Sequence, residues 1–167
     1  MVDKKIIEYL IALFKNEDAR KEFKKIYDRD LYEKSKKQAR FIVNHSNGLL
    51  RMVDTSRRDE TCRIKNATSM FGDIKDSAGN HYDLKVGTGF LAGSISEKSL
   101  TLFGKDPTHY YICTTANLDK LYIINASDLL SKVPSKVKYK EAKNKNGTTS
   151  KFLGETCYIN GGYISYI

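Results

Sequence analysis

One segment constrains the fold of this chain more than any other, because its polarity alternates on both sides of a cluster of turn-forming residues. The cluster runs from Asp76 to Asn80, and Asp, Ser, Gly and Asn all favour tight turns. If the turn is centred on Ala78, residues at equal distances on either side of it face each other, which pairs Ile74 with Tyr82. The segment therefore predicts a β-hairpin with a defined register.

The apolar residues of the hairpin fall on one face in this register. Gly72 pairs with Leu84 and Met70 pairs with Val86, and alternate residues of a strand point to the same side. That face is predicted to pack into a core, because a slip of one residue would turn it to solvent.

The opposite face carries a charged cluster. The register places Asp73 across from Asp83, and Lys85 lies two residues further along the same face. Directly opposed β-carbons lie roughly 4.5–5.5 Å apart, and like charges held there repel each other. Either Lys75 and Lys85 offset the repulsion on an exposed face, or the carboxylates bind a divalent cation such as Mg²⁺, which prefers oxygen ligands.

A divalent cation at this position suits the charge of the chain. The sequence contains 29 Lys and Arg against 20 Asp and Glu, a formal net charge of +9, which favours a polyanionic partner such as nucleic acid. Bound Mg²⁺ polarises a phosphodiester and acidifies the attacking water. An ammonium group at Lys85 orients that water or stabilises charge on the phosphate. The cluster of Asp73, Asp83 and Lys85 therefore predicts a metal-dependent nuclease site.

These residues also match a known motif. Asp73, a gap of nine residues and then Asp83-Leu84-Lys85 resemble the signature of the PD-(D/E)xK nuclease superfamily, with Gly72 where that pattern often has proline. The whole segment, including its turn, is similar to the corresponding hairpin of PvuII-type restriction endonucleases. Fainter similarity extends over residues 68–167.

The resemblance implies a fold, a cofactor and a partner. The fold would be α+β, a restriction-endonuclease-like mixed β-sheet flanked by helices. Asp73 and Asp83 would bind Mg²⁺ with help from the Leu84 carbonyl, and Lys85 would be the catalytic lysine. The enzyme would be a homodimer that cuts double-stranded DNA at a short specific sequence, as a type II restriction endonuclease does.

Seven further residues are candidates for contacts with DNA, two in a glycine-rich segment after the hairpin, one before a tyrosine pair, and four lysines. They are Thr88, Ser94, Lys98, Lys105, His109, Lys138 and Lys140. The lysines from 132 to 151 would follow phosphates. Each group has an alternative: a plain glycine-rich turn at 87–94, a hydrogen-bonded strand residue at His109, and a mobile basic loop at 132–151.

The rest of the chain is predicted to place helices before strands. Apolar residues follow helical spacing over 6–14, after a possible cap at Asp3, and over 23–27. Residues 30–43 predict a surface helix, or alternatively one that packs or pairs with another subunit. A polar loop at 44–66, with a turn at Asn47-Gly48 and a short strand, separates these helices from strands at 70–75, 81–86, 110–115 and 121–125. A short helix capped by Ser127 and a strand-rich tail complete the chain.

A single domain is expected, because no repeat or low-complexity block interrupts the 167 residues. Residues 1–67 would form a helical, dimerising part, and residues 68–167 the catalytic sheet and the DNA-binding part.

The cysteines and the N-terminus bear on location. The three cysteines are widely spaced and include no CxxC pair, which argues against a disulfide framework and a zinc knuckle. The apolar N-terminal run is broken by Glu8 and has no small-residue cleavage site. A cytoplasmic protein without a membrane span is therefore expected.

Two other functions fit the same sequence. A structure-specific DNA nuclease, such as a junction resolvase or a repair enzyme, would use the same site. A non-catalytic basic nucleic-acid-binding module would leave the hairpin charges solvated, and Asp83→Ala would then leave its function intact.

Overall fold

Six helices and eight strands make up the described part of the structure, a computed structural model that describes residues 1–29, 34–53 and 73–167. The helices are α1 (Lys4–Lys15), α2 (Glu17–Arg29), α3 (Lys34–Asn44), α4 (Glu97–Phe103), α5 (Ala126–Lys132) and α6 (Glu155–Asn160). The strands are β1 (Leu50–Met52), β2 (Ile74–Asp76), β3 (His81–Gly87), β4 (Ile95–Ser96), β5 (His109–Thr115), β6 (Leu121–Asn125), β7 (Lys140–Lys143) and β8 (Thr149–Leu153).

The N-terminal helices form because their apolar residues recur at helical spacing. Asp3 caps α1, and its carboxylate accepts a hydrogen bond from the Lys5 amide at 2.9 Å. The buried residues of α1, α2 and α3 are Ile6, Leu10, Leu13, Phe14, Ala19, Phe23, Gln38, Ala39 and Ile42. The two predicted helices and the cap are confirmed, and α3 packs against the core although its apolar stripe is narrow.

A five-stranded mixed sheet forms the centre, in the order β1-β2-β3-β5-β6. The pair of β3 and β5 is parallel, and the other three pairs are antiparallel. The predicted α+β class with a mixed sheet flanked by helices is therefore confirmed. Strand β1 pairs with β2, so the predominantly helical N-terminal part also contributes a strand.

The sheet separates two hydrophobic cores. On one face, Ile74, Tyr82 and Leu84 pack with buried residues of α1, α2 and α3. On the other face, Tyr111 and Cys113 pack with buried residues of α4, α5 and α6. Because side chains alternate along a strand, consecutive residues of β3 belong to opposite faces of the sheet.

Three predicted strands are confirmed, with β3 and β5 each one residue longer than expected and β6 as expected. Residues 70–72 of the predicted strand at 70–75 lie outside the described residues, Asp73 precedes the strand, and β2 continues to Asp76. The turn at Asn47-Gly48 is confirmed, with φ of 51° and 83°. The part of the predicted loop from residue 54 to residue 66 lies outside the described residues.

The cap of helix α5 is Asn125, so the prediction of Ser127 is wrong. Asn125 Oδ1 accepts a hydrogen bond from the Asp128 amide at 2.9 Å. Ser127 lies inside the helix and its hydroxyl donates to the Gly104 carbonyl at 2.7 Å. Both Asn and Ser are favoured caps, and Asn125 is the last residue of β6, directly before the first residue of the helix.

The C-terminal part contains a second sheet, in the order β4-β8-β7. Strands β7 and β8 form a hairpin whose Gly147 has φ of 84°. The alternative of a mobile basic loop at 132–151 is therefore wrong for residues 140–151, which belong to this hairpin. The tail is not wholly strand, because α6 follows β8. After α6, the Tyr166 amide donates to the Leu121 carbonyl at 2.8 Å, which holds the chain end against β6.

Candidate active site

The carboxylate of Asp76 stabilises the turn that sets the register of the hairpin. Asp76 accepts hydrogen bonds from the Ala78 and Asn80 amides, each at 2.9 Å, and from the Tyr82 hydroxyl at 2.8 Å. Ile74 pairs with Tyr82, which confirms the predicted register at this pair. The other two predicted apolar pairs include residues 70 and 72, which lie outside the described ranges.

Asp83 and Lys85 lie on the face of β3 opposite the N-terminal helices. They alternate with Leu84, which packs into the helical core. In the parallel pair with β5, Asp83 lies beside Tyr111 and Lys85 beside Cys113. Asp83 is only 6% exposed, so its carboxylate has little contact with water.

Asp73 enters the same cluster just before β2. Its Oδ2 accepts a hydrogen bond from the Leu84 amide at 3.2 Å. Burial and repulsion by the Asp83 carboxylate raise the pKa of Asp73, and a hydrogen bond between the two carboxyl groups raises it further. The structure therefore brings Asp73 and Asp83 into contact in an environment that disfavours two negative charges.

Lys85 is the cation of this cluster, and the loop after β3 packs against it. Its charge lowers the pKa of Asp73 and so partly opposes the effect of burial. Gly93, with φ of 56°, packs so closely that a Cβ there would lie 2.7 Å from the Lys85 Cβ. A Cβ at Gly87 would meet the Leu91 carbonyl oxygen at 1.9 Å. These glycines let the loop pack against its own strand.

His109 supports the cluster from β5, a role that sequence reasoning missed. Its Nε2 lies 3.1 Å from Asp83 Oδ2, and its ring stacks on Phe103 with centroids 3.9 Å apart and planes 9° apart. The side chain is completely buried, so the predicted contact of His109 with DNA does not fit this position. The alternative of a hydrogen-bonded strand residue does fit.

The donor set of the cluster suits a hard divalent cation better than a transition metal. Asp73 and Asp83 offer carboxylate oxygens, and their mutual repulsion would fall on binding a cation between them. Mg²⁺ commonly takes one or two carboxylates and keeps several waters. Within the ranges that the structure describes, no group of three or more His, Cys, Asp and Glu side chains is placed to hold a metal.

The other predicted DNA contacts divide into two groups. Thr88 and Ser94 are exposed and line a cavity beside Lys85. The remaining four are exposed lysines on the side of the molecule built from α4 and the second sheet: Lys98, Lys105, Lys138 and Lys140. None of the four lines the cavity beside Lys85, within the described residues.

The two cysteines that the structure describes are unpaired thiols. Cys113 and Cys157 are both buried, and burial raises the pKa of Cys113 to about 12. A protonated, enclosed thiol is a poor nucleophile, so Cys113 has a packing role beside Lys85. Cys62 lies outside the described residues.

Comparisons with protein-family models, with curated protein sequences and with solved structures find no match to this chain. Among the described residues, the helices are all too short or too polar to cross a membrane.

Proposed function

We propose that this protein is a Mg²⁺-dependent endonuclease that hydrolyses double-stranded DNA at a short specific sequence, as type II restriction endonucleases of the PD-(D/E)xK superfamily do. The observation that carries the proposal is that the carboxyl group of Asp73 lies against the buried carboxyl group of Asp83, with Lys85 on the same face of the strand. Such a contact is unfavourable for the fold alone. A cation bound between the two carboxylates would relieve their repulsion.

Each residue of the cluster has a role in this proposal. Asp73 and Asp83 would hold the metal, and the Leu84 carbonyl would face the same edge of β3, because the Leu84 amide donates to Asp73 and the two groups of a strand residue point the same way. When bound, Mg²⁺ supplies a Lewis acid and a water of lowered pKa. Lys85 would contact a phosphate oxygen and stabilise the negative charge that develops there.

The partners follow from the charge and from the reaction. A formal net charge of +9 favours a polyanion such as DNA. The described part of each chain supplies one such cluster. Cutting both strands of a duplex at one position therefore calls for two copies, and a homodimer with two-fold symmetry provides them. Helices α1 and α2 are the candidates for the interface.

The direct test is cleavage of varied DNA by the full chain. With Mg²⁺ present, we expect a mixture of plasmid and bacteriophage DNA to yield discrete fragments that share one short sequence at their ends. With EDTA in place of Mg²⁺, we expect no fragments. The Asp83→Asn variant is the matched control, because it keeps the size of the side chain and removes its charge.

The result also separates the related functions. Cutting confined to branched or damaged DNA would replace the restriction enzyme with a structure-specific nuclease. Tight DNA binding without metal-dependent cleavage of any substrate would overturn the nuclease proposal. Equal cleavage by the wild type and by Asp83→Asn would show that the charged cluster takes no part in the reaction.

The contact between His109 and Asp83 provides a second test. His109→Phe keeps a flat ring on Phe103 but removes the hydrogen bond to Asp83. Loss of a partner that orients a metal-binding carboxylate typically costs roughly 10–100-fold in metal affinity or activity. We therefore expect kcat to fall by about that factor and half-maximal activity to require more Mg²⁺, while KM for DNA changes little.

The melting temperature of His109→Phe gives the control for folding. A folded variant with the kcat and the Mg²⁺ dependence of the wild type would show that His109 only fills the core. A folded variant in which only KM for DNA rises would contradict the positioning role as well.

A further inference from the structure

A cavity of about 420 Å³ lies beside Lys85, between the C-terminal end of β3, helices α2 and α3, and the loop after β3. Its volume falls in the range of ligand pockets, roughly 300–1,000 Å³. The cavity does not include Asp73 or Asp83 among the described residues that line it. It therefore adjoins the charged cluster and shares Lys85 with it.

The charge of the cavity favours an anion. Lys34 and Lys85 both line it, and none of the lining residues that the structure describes is acidic. The Lys34 ammonium lies 4.3 Å from the centre of the Tyr27 ring, a cation–π contact that holds it at the cavity wall. Two lysines with no acidic residue among the described lining residues favour an anionic ligand.

A buried amide at the cavity wall also points to a ligand. Gln38 is 2% exposed, and its Nε2 has no hydrogen-bond partner in the described part of the chain. A buried donor that remains unpaired destabilises a fold. The last torsion of a glutamine side chain is soft, so a small rotation turns this donor toward an acceptor in the cavity.

Hydroxyl groups complete a lining rich in donors. Ser35, Thr88 and Ser94 line the cavity together with the Gln38 amide and the two lysines. Ammonium, amide and hydroxyl groups are the partners that proteins commonly offer to the phosphate oxygens of DNA. A phosphate group satisfies the charge and the unpaired donor at once.

We propose that this cavity binds the phosphate of the DNA nucleotide next to the one on which Lys85 acts. The location of the reacting phosphate rests on the proposed function, but binding in the cavity needs no metal and no cleavage. Lys34 contributes its charge and Gln38 a hydrogen bond. The site thus fixes the strand beside the charged cluster.

The experiment measures binding of the full chain to a short DNA duplex in EDTA, at several salt concentrations. Lys34→Met should weaken binding and reduce the slope of log Kd against log salt by about one, as loss of one phosphate contact does. Gln38→Leu should weaken binding by about threefold to tenfold with the slope unchanged, because it removes no charge. Lys36→Met is the matched control, since Lys36 is exposed on the same helix and does not line the cavity.

Four outcomes would overturn the proposal. Equal losses for Lys36→Met and Lys34→Met would show only a general effect of charge on α3. A folded Gln38→Leu variant that binds DNA as tightly as the wild type would show that the Gln38 amide takes no part in binding. A reduced slope of log Kd against log salt in Gln38→Leu would contradict the role of Gln38 as a neutral donor. Binding of inorganic phosphate or thymidine monophosphate that depends on Lys34, with DNA binding unaffected, would assign the cavity to a free phosphate compound.

The design keeps this proposal separate from the nuclease proposal. If the wild type cleaves no DNA but Lys34→Met and Gln38→Leu bind it as expected, the cavity proposal holds without the nuclease. If the wild type cleaves DNA and both variants bind it normally, the cavity proposal alone fails. Thermal unfolding of each variant checks that the fold is intact. If Gln38→Leu does not fold, Lys34→Met still tests the proposal, because Lys34 is only partly buried.

Discussion

Lys85→Met is expected to reduce Mg²⁺-dependent DNA cleavage by roughly a thousandfold, the effect of removing one group that stabilises charge in the transition state. Methionine keeps most of the length of the side chain, so packing against Gly93 is preserved. Affinity for DNA should change far less than the rate, since many other lysines remain. Single-turnover cleavage and binding in EDTA measure the two effects separately.

Lys75→Met is the matched control for this variant. Lys75 lies on the same hairpin and two residues from Asp73, so both variants lose one positive charge near the carboxylates. We expect Lys75→Met to retain cleavage within about tenfold, because a charge not in contact with the phosphate is screened by solvent. If the two variants lost cleavage activity equally, the effect would come from the net charge of the protein, and Lys85 would have no specific contact with the phosphate.

Asp73→Asn is expected to stabilise the protein in the absence of metal while abolishing its cleavage. In the folded state the pKa of Asp73 rises from 3.8 to about 7, chiefly through burial and then through repulsion by Asp83. A raised pKa means that folding favours the protonated carboxyl. This contribution to stability is fully present below pH 3.8 and is lost as the pH rises through about 7.

The expected gain can be estimated from the same rise. At about 1.36 kcal/mol per pH unit, Asp73→Asn should raise the free energy of unfolding at about pH 8 by on the order of 2–4 kcal/mol. At about pH 3 the two proteins should be nearly equal. The asparagine oxygen can still accept the Leu84 amide, so the backbone contact is kept.

Urea unfolding with EDTA and then with Mg²⁺ completes this test. Mg²⁺ should raise the stability of the wild type at about pH 8, since a ligand that binds only the folded state stabilises it, and should raise that of Asp73→Asn much less. A less stable Asp73→Asn at about pH 8 would contradict the unfavourable carboxylate contact. An equal effect of Mg²⁺ on both proteins would place the metal elsewhere.

The hairpin and its register could be predicted from the sequence because both are local. The turn at 76–80 and the alternation around it lie within a few residues of each other, and the pairing of Ile74 with Tyr82 follows from them. The contact of Asp73 with Asp83 is a consequence of that register. Local pattern therefore located the core of the candidate site.

The supporting residues could not be predicted because they depend on pairing between distant segments. His109 reaches Asp83 only through the parallel pair of β3 and β5, and no local pattern specifies which strands become neighbours. Gln38 and Lys34 meet the site from a helix far away in the sequence. Helix α4 and the two-residue strand β4 are too short to produce a periodic pattern in the sequence.

Asp76 lies in the turn and outside the charged cluster, yet the cluster depends on it. If its hydrogen bonds to the turn were lost, a slip of one residue would exchange the two faces of the hairpin and put an apolar side chain in the place of Asp83. A genetic screen for inactive variants would then select Asp76 as strongly as a residue that contacts DNA. In such a screen, the sensitivity of a residue to mutation would report how strongly it determines the register of the hairpin. It would not report the distance of that residue from the reacting phosphate.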